Sequence, residues 1–128
     1  MSVPGTTSEQ DAVLAAYQFL DAFNERDADA LAALITGDAE LRTSDGRVWT
    51  GVDGARELLD AARNMKLRLI PLHRHEHAEG RNGAVWVELW VRELVEDGDV
   101  PKIADIVVHD GAVASFALRD VPFEPGIA

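Results

Sequence analysis

The sequence predicts an α+β domain: a curved antiparallel β-sheet wrapped around three N-terminal helices, cone-shaped, with one pocket. Three observations carry this. Apolar residues recur at helical spacing through the first half of the chain, as Val13, Ala16, Tyr17, Leu20 and Phe23 show. From residue 66 onward the pattern changes to strand-like runs joined by short turns. A length of 128 residues allows one core and leaves too little for a second. Helices followed by a meander of strands form a layered fold, and curling the sheet around the helices leaves a cavity at the open end.

The first helix starts at a Thr7 or Ser8 cap, with Glu9 and Asp11 set against its positive end. Asn24-Glu25-Arg26-Asp27 ends it, and a short second helix covers Asp29 to Ile35. Gly37-Asp38 breaks that helix, and Ala39 to Thr43 alternates as a strand before the Ser44-Asp45-Gly46 turn. The third helix runs from Ala55 to about Met65, with Leu58, Leu59 and Ala62 on its apolar face. Lys66 to Ala78 is a long strand, bent at Pro71, because proline removes a ladder hydrogen bond. Asn82-Gly83 is a hairpin signal, returning the chain as Val85 to Leu94. Further turns at Glu96-Asp97-Gly98-Asp99 and His109-Asp110-Gly111 delimit strands at Lys102 to Val108 and Ala112 to Arg119. Residues 1–8 are expected to be a disordered lead-in, 9–120 the domain and 121–128 a tail over the surface.

Net charge is −11, from 23 acidic and 12 basic residues. Phosphate backbones are met by Lys and Arg, so this balance argues against nucleic acid and anionic membranes as partners. With no cysteine there are no disulfides, thiolate metal sites or thiol nucleophiles. The start lacks the basic and apolar regions of a signal peptide, and the expected location is cytoplasmic.

Two stretches carry candidate chemistry. Asp105 lies in the otherwise apolar run Ile103-Ala104-Asp105-Ile106-Val107-Val108. Pointing into the pocket without a cation, it stays protonated near neutrality and acts as a general acid; paired with an arginine or facing water, it is structural. In His73-Arg74-His75-Glu76-His77, alternation puts the three histidines on one face and Arg74 and Glu76 on the other. A two-residue hairpin turn pairs Arg81 with Ala84, so the histidines share a face with Trp86, Glu88, Trp90 and Arg92. Arg74 and Glu76 then look inward, where Arg74 holds an enolate while Glu76 moves a proton; the plain alternative is an ion pair. Slipping the turn by one residue exchanges the faces and sends His75 inward. A His-x-His zinc clamp completed by Glu88 is the weaker reading, and no metal or other cofactor is assigned.

The order Phe23-Asn24-Glu25-Arg26-Asp27-Ala28-Asp29-Ala30-Leu31, Asp38-Ala39-Glu40-Leu41, Trp49-Thr50-Gly51 and Asp105 before Asp110-Gly111 resembles the nuclear transport factor 2-like superfamily, especially its SnoaL-like branch, over residues 9–120. The resemblance implies a cone with a deep pocket and a homodimer through the outer sheet face, here Trp86 and Trp90. It makes Phe19, Trp49 and Phe116 the ligand-contact positions; Arg42 and Asp45, near the strand end, fit the cavity mouth, and turn chemistry explains Asp45 equally well. Against the ketosteroid isomerase branch, Thr43 stands where a carboxylate base belongs and Phe19 where a tyrosine donor belongs; Asp105 alone matches. The Arg-x-Asp unit of the epoxide hydrolase branch is absent from the sequence.

Two functions follow. One is a cofactor-free isomerase, cyclase or lyase acting on a hydrophobic oxygenated molecule, with Asp105, Glu76, Arg74 and His75 as its catalytic set. The other is a non-catalytic ligand-binding or dimerisation module. Convergence of two titratable groups in the cavity separates them.

Overall fold

A computed structural model describes residues 8–81, 83–96 and 98–121, with the side chains of residues 73–76 and 81 outside the description. The lead-in before Ser8, Asn82 of the first hairpin, Asp97 and the tail after Val121 therefore lie outside the described residues. The element order is α1 (Glu9–Glu25), α2 (Ala28–Leu34), β1 (Ile35–Arg42), β2 (Val48–Thr50), α3 (Gly51–Met65), β3 (Arg68–Arg81), β4 (Ala84–Val95), β5 (Gly98–His109) and β6 (Ala112–Asp120).

Ser8 caps α1, its hydroxyl accepting from the Asp11 amide, and Asp27 caps α2 by accepting from the Ala30 amide. Strand β2 is too short for alternation to reveal, and it adds an edge beside β1 through Leu41 opposite Trp49. Helix α3 begins earlier than the apolar pattern implies. Gly51, at φ +70°, makes the sharp entry, and a β-carbon there would stand 2.9 Å from the Gly37 carbonyl oxygen.

The six described strands lie in the order β2-β1-β6-β5-β4-β3. Strands β3 to β6 form the expected antiparallel meander. Strand β1 pairs with β6 in parallel, so the whole sheet is mixed. Short turns force antiparallel neighbours, whereas β1 and β6 are joined by the entire intervening chain, which permits the parallel pair.

Buried side chains alternate along β4 as Val85, Val87, Leu89 and Val91, and along β5 as Ala104, Ile106 and Val108. Strand β6 follows Val113 with Phe116 rather than Ser115 on this face, because a register shift at Val107/Val108 sets Ala114 out of step. Phe19, Leu20 and Phe23 of α1 and Leu58 and Leu59 of α3 cover that face, closing one core.

Two polar clamps fix where α1 meets the start of β3. The Asn24 amide donates to the Leu69 carbonyl and accepts from its N–H, both at 2.8 Å, imitating a strand pairing. The Arg26 guanidinium donates to the carbonyls of Phe23 (2.9 Å), Ala62 (3.3 Å) and Leu67. Desolvation, then the nearby charges of Arg63 and Arg68, lower the pKa of Arg26 from its ordinary value.

Candidate functional site

The hairpin register stands as expected at its closed end: Arg81 pairs with Ala84, Glu79 with Trp86 and His77 with Glu88. Farther along β3, the pairing jumps from Pro71–Val91 to Glu76–Leu89, one residue of β4 facing four of β3. Strict alternation therefore fails across His73 to His75. Before the irregularity the odd residues Leu67 and Leu69 are buried; beyond it the even residue Glu76 is paired with buried Leu89. The side chains of Arg74, His75 and Glu76 lie outside the described residues.

Asp105 corrects the sequence reading. It pairs with Glu88 on β4 and Ala117 on β6, and its side chain is on the outer face, 35% exposed. Its neighbours Ala104 and Ile106 take the inner face. The Arg119 guanidinium donates to Asp105 at 2.6 Å and to Glu88 at 2.7 Å, tying the two carboxylates together. The hydrogen bond to Asp105 raises the Arg119 pKa against the opposing cost of desolvation, with the charges of Asp105 and Glu88 adding to the rise. Asp105 is thus held by an arginine on the outer face and does not enter an apolar cavity.

Two proposed ligand contacts also move. Phe19 and Phe116 are fully buried with ring centroids 5.0 Å apart, and a side chain without accessible surface borders no water-sized void. They plug the cone at that level because both positions carry large rings directed at one another. Trp49 differs: it is half-buried, its indole N–H donates to the Thr43 hydroxyl at 3.4 Å, and the Arg47 guanidinium lies 4.8 Å from its ring centre. Thr43, standing where the isomerase branch has its base, is the buried polar residue among the described ones.

The turn after β1 is internally bonded. The Thr43 hydroxyl donates to Asp45 at 2.6 Å, and the Arg47 amide and guanidinium donate at 3.1 and 2.7 Å. The Thr43 bond first, then the Arg47 amide, lower the Asp45 pKa from 3.8 to about 2. A folded pKa below the unfolded one means that Asp45 stabilises the fold above about pH 4, and that this contribution is lost as pH falls through 2. NMR titration of the Asp45 carboxyl is expected to centre near 2. A midpoint near 4 would show that the turn does not hold it.

Three polar residues that sequence reasoning passed over complete the picture. Arg119 is one. The others are Ser44, whose hydroxyl donates to Glu93 at 2.6 Å, and Lys102, which pairs with Asp120. Period-two alternation alone assigns Lys102 and Glu93 to the inner face, in step with Ala104 and Val91. A hollow of about 320 Å³ also opens between the start of α1 and β3, lined by Glu9, Gln10, Val13 and Ala78. Among the described residues no cluster of potential metal ligands occurs, and no helix is long and apolar enough to cross a membrane.

Helices packed on the concave side of a curled sheet define the cystatin-like, nuclear transport factor 2-like class of α+β folds. Within it, residues 16–120 match the model of the SnoaL-like domain, and the chain belongs to that family. No curated protein matches the sequence. A candidate polyketide cyclase from Sinorhizobium meliloti shares 18% identity at a TM-score of 0.65, over 88% of this chain and 99% of that one. A Nostoc punctiforme protein of unknown function with a cystatin-like fold shares 13% at 0.71, over 91% and 92%. The orange carotenoid protein of Anabaena, solved with canthaxanthin, shares 18% at 0.71, over 82% of this chain and 34% of that one. At these identities the likeness is one of fold.

Proposed function

We propose that this SnoaL-like domain is a non-catalytic module that pairs with a second copy through its outer sheet face. The carrying observation is the contrast between the two faces. Inside, aromatic and aliphatic side chains fill the space and the matched acid is missing, because Asp105 is tied to Arg119 outside. Outside, Trp86 is 50% exposed near the start of β4, on the same face as Trp90, Val107 and a nearly fully covered Ile103. The Arg119 guanidinium bridges Glu88 and Asp105, so each carboxylate there already has a cationic partner, which lowers the cost of covering the group. A tryptophan-bearing sheet face with paired charges has the composition of a subunit interface.

Trp86→Glu is expected to convert a dimer to monomers in light scattering at tens of micromolar, without loss of the β-sheet signal in circular dichroism. Two copies of charge −11 also repel, so added salt should tighten the wild-type dimer. A wild-type chain that is monomeric at every salt concentration would defeat the reading.

A second reading retains the cofactor-free isomerase, cyclase or lyase, with Glu76 in place of Asp105 as the proton-moving group and Arg74 and His75 beside it. Its support is the register that sets Glu76 opposite buried Leu89, two residues before Ala78 at the edge of the 320 Å³ hollow. Canthaxanthin in the Anabaena neighbour supports a hydrophobic ligand for the fold, and half-buried Trp49 is the ligand contact this reading keeps. Glu76→Gln abolishing turnover of such a substrate, with binding retained, would favour this reading over the first.

A further inference from the structure

One cation serves two carboxylates at the centre of the outer face. Arg119 donates to Asp105 and to Glu88, and all three side chains are partly exposed. Their formal charges leave one negative charge in excess. Arg92, farther along β4, does not offset it, being tied to Asp99 at 3.2 Å. Glu79, opposite Trp86, sets a further acid on the same face. In a single chain, water solvates this excess at little cost. Pairing the outer faces removes that water. A two-fold axis also sets each copy's excess against the other's, in any register of the two sheets.

Strand register supplies a group that can cancel the excess. His77 stands directly opposite Glu88 in the β3–β4 pairing, and Glu88 stands opposite Asp105 in the β4–β5 pairing. Residues opposite each other in antiparallel strands share a face, with β-carbons roughly 4.5–5.5 Å apart. His77, Glu88 and Asp105 therefore form one row across three strands, joined by Arg119 from β6. His77 is exposed and lies on the edge strand, with β4 as its neighbour in the sheet. Among the described residues, the charged groups facing it are Glu79 on β3, Glu88 on β4, Asp105 on β5 and Arg119 on β6. Acids predominate, and a cationic imidazole in the row sets two positive charges against the Glu88 and Asp105 carboxylates. Histidine is the side chain that changes charge in the neutral range. His109 has a separate partner, Asp110 at 3.3 Å in the turn after β5, and is not in this row.

We propose that pairing through the outer face takes up a proton on His77 of each copy, so that the dimer tightens in mildly acidic solution and loosens in alkaline solution. This rests on the outer-face pairing proposed above. The sign follows from linkage. A cationic His77 gains when it is covered beside Glu88, because attraction between close charges grows as water leaves. A neutral His77 leaves the excess negative charge inside a closed interface. Desolvation of the ring opposes charging, and the row of carboxylates offsets it. The paired state therefore binds protons more tightly than the separate chains, and by reciprocity protons favour pairing. Association strengthens as pH falls through the neutral range and weakens as pH rises through it.

Sedimentation equilibrium of the full chain at about pH 8 and about pH 6 measures the linkage. Salt at about 1 M screens the general repulsion between two chains of charge −11, whereas covered pairs are screened much less. The wild-type dissociation constant is expected to fall about tenfold between the two conditions. His77→Gln should hold the weaker, alkaline value at both. Glu88→Gln, which removes the excess charge without a proton, should pair tightly at both. His109→Gln should keep the wild-type response. A wild-type dimer indifferent to pH, or a response that survives His77→Gln, overturns the proton linkage and leaves outer-face pairing standing. A chain monomeric at both pH values, or a dimer that Trp86→Glu leaves intact, removes the outer-face pairing itself and the linkage with it.

Discussion

Replacing Arg26 with alanine is expected to remove about 3 kcal/mol of stability, read as a lower urea midpoint at unchanged slope. One guanidinium joins three backbone segments: the end of α1 at Phe23, the end of α3 at Ala62, and Leu67 ahead of β3. Hydrogen bonds from a charged donor contribute roughly 1.5–3 kcal/mol each. The total stays well below their sum because Phe23 and Ala62 keep backbone donors, from Arg26 and Leu67 respectively. The Leu67 carbonyl loses the Arg26 donor outright. Arg26 also holds φ at +59°, a left-handed conformation that glycine occupies without steric cost. Arg26→Gly should therefore lose about 1 kcal/mol less than Arg26→Ala. Equal losses would mean that the left-handed cap contributes nothing, and a loss under 1 kcal/mol in the alanine variant would mean that the clamp is ornamental.

This clamp also shows what a sequence can and cannot disclose. Asn24-Glu25-Arg26-Asp27 is legible as the end of a helix, because the apolar period stops there. That Arg26 would reach across to α3 is not, since its partners are backbone groups some 36 to 41 residues away. The face of Asp105, by contrast, was within reach. If Trp86 and Trp90 point outward, the next hairpin pairs even residues of β4 with odd residues of β5 and carries Asp105 outward with them. The run Ile103 to Val108 hides this because Ile103 and Val107 make its outer face apolar too, and a strand apolar on both faces has no visible alternation. The irregularity between Pro71 and Glu76 is the opposite case. Proline signals a disturbance, but the number of residues absorbed depends on how the sheet bends. Curvature likewise brings Ser44 to Glu93, and no local pattern encodes that contact.

Phe19 decides whether the cone is core or container at its middle, and its truncation gives the second large effect. Phe19→Ala is expected to cost 3–5 kcal/mol, because the ring is fully buried and packed against Phe116 at 5.0 Å. A side chain lining an existing hollow would behave otherwise: its removal enlarges a space already present, loses few packing contacts and costs under about 1 kcal/mol. The ligand response separates the two cases a second time. Deleting a core ring leaves a dry apolar cavity, and such cavities take up benzene-sized molecules. Benzene should therefore raise the melting temperature of Phe19→Ala and leave the wild type unmoved, since only a folded state with a cavity gains from the ligand. Because the cost is a large part of a small domain's total stability, Phe19→Leu, which loses less in the same direction, is the companion variant. A small cost, together with benzene stabilising the wild type as strongly as the variant, would return Phe19 to the wall of a pocket and reopen catalysis at the centre of the cone.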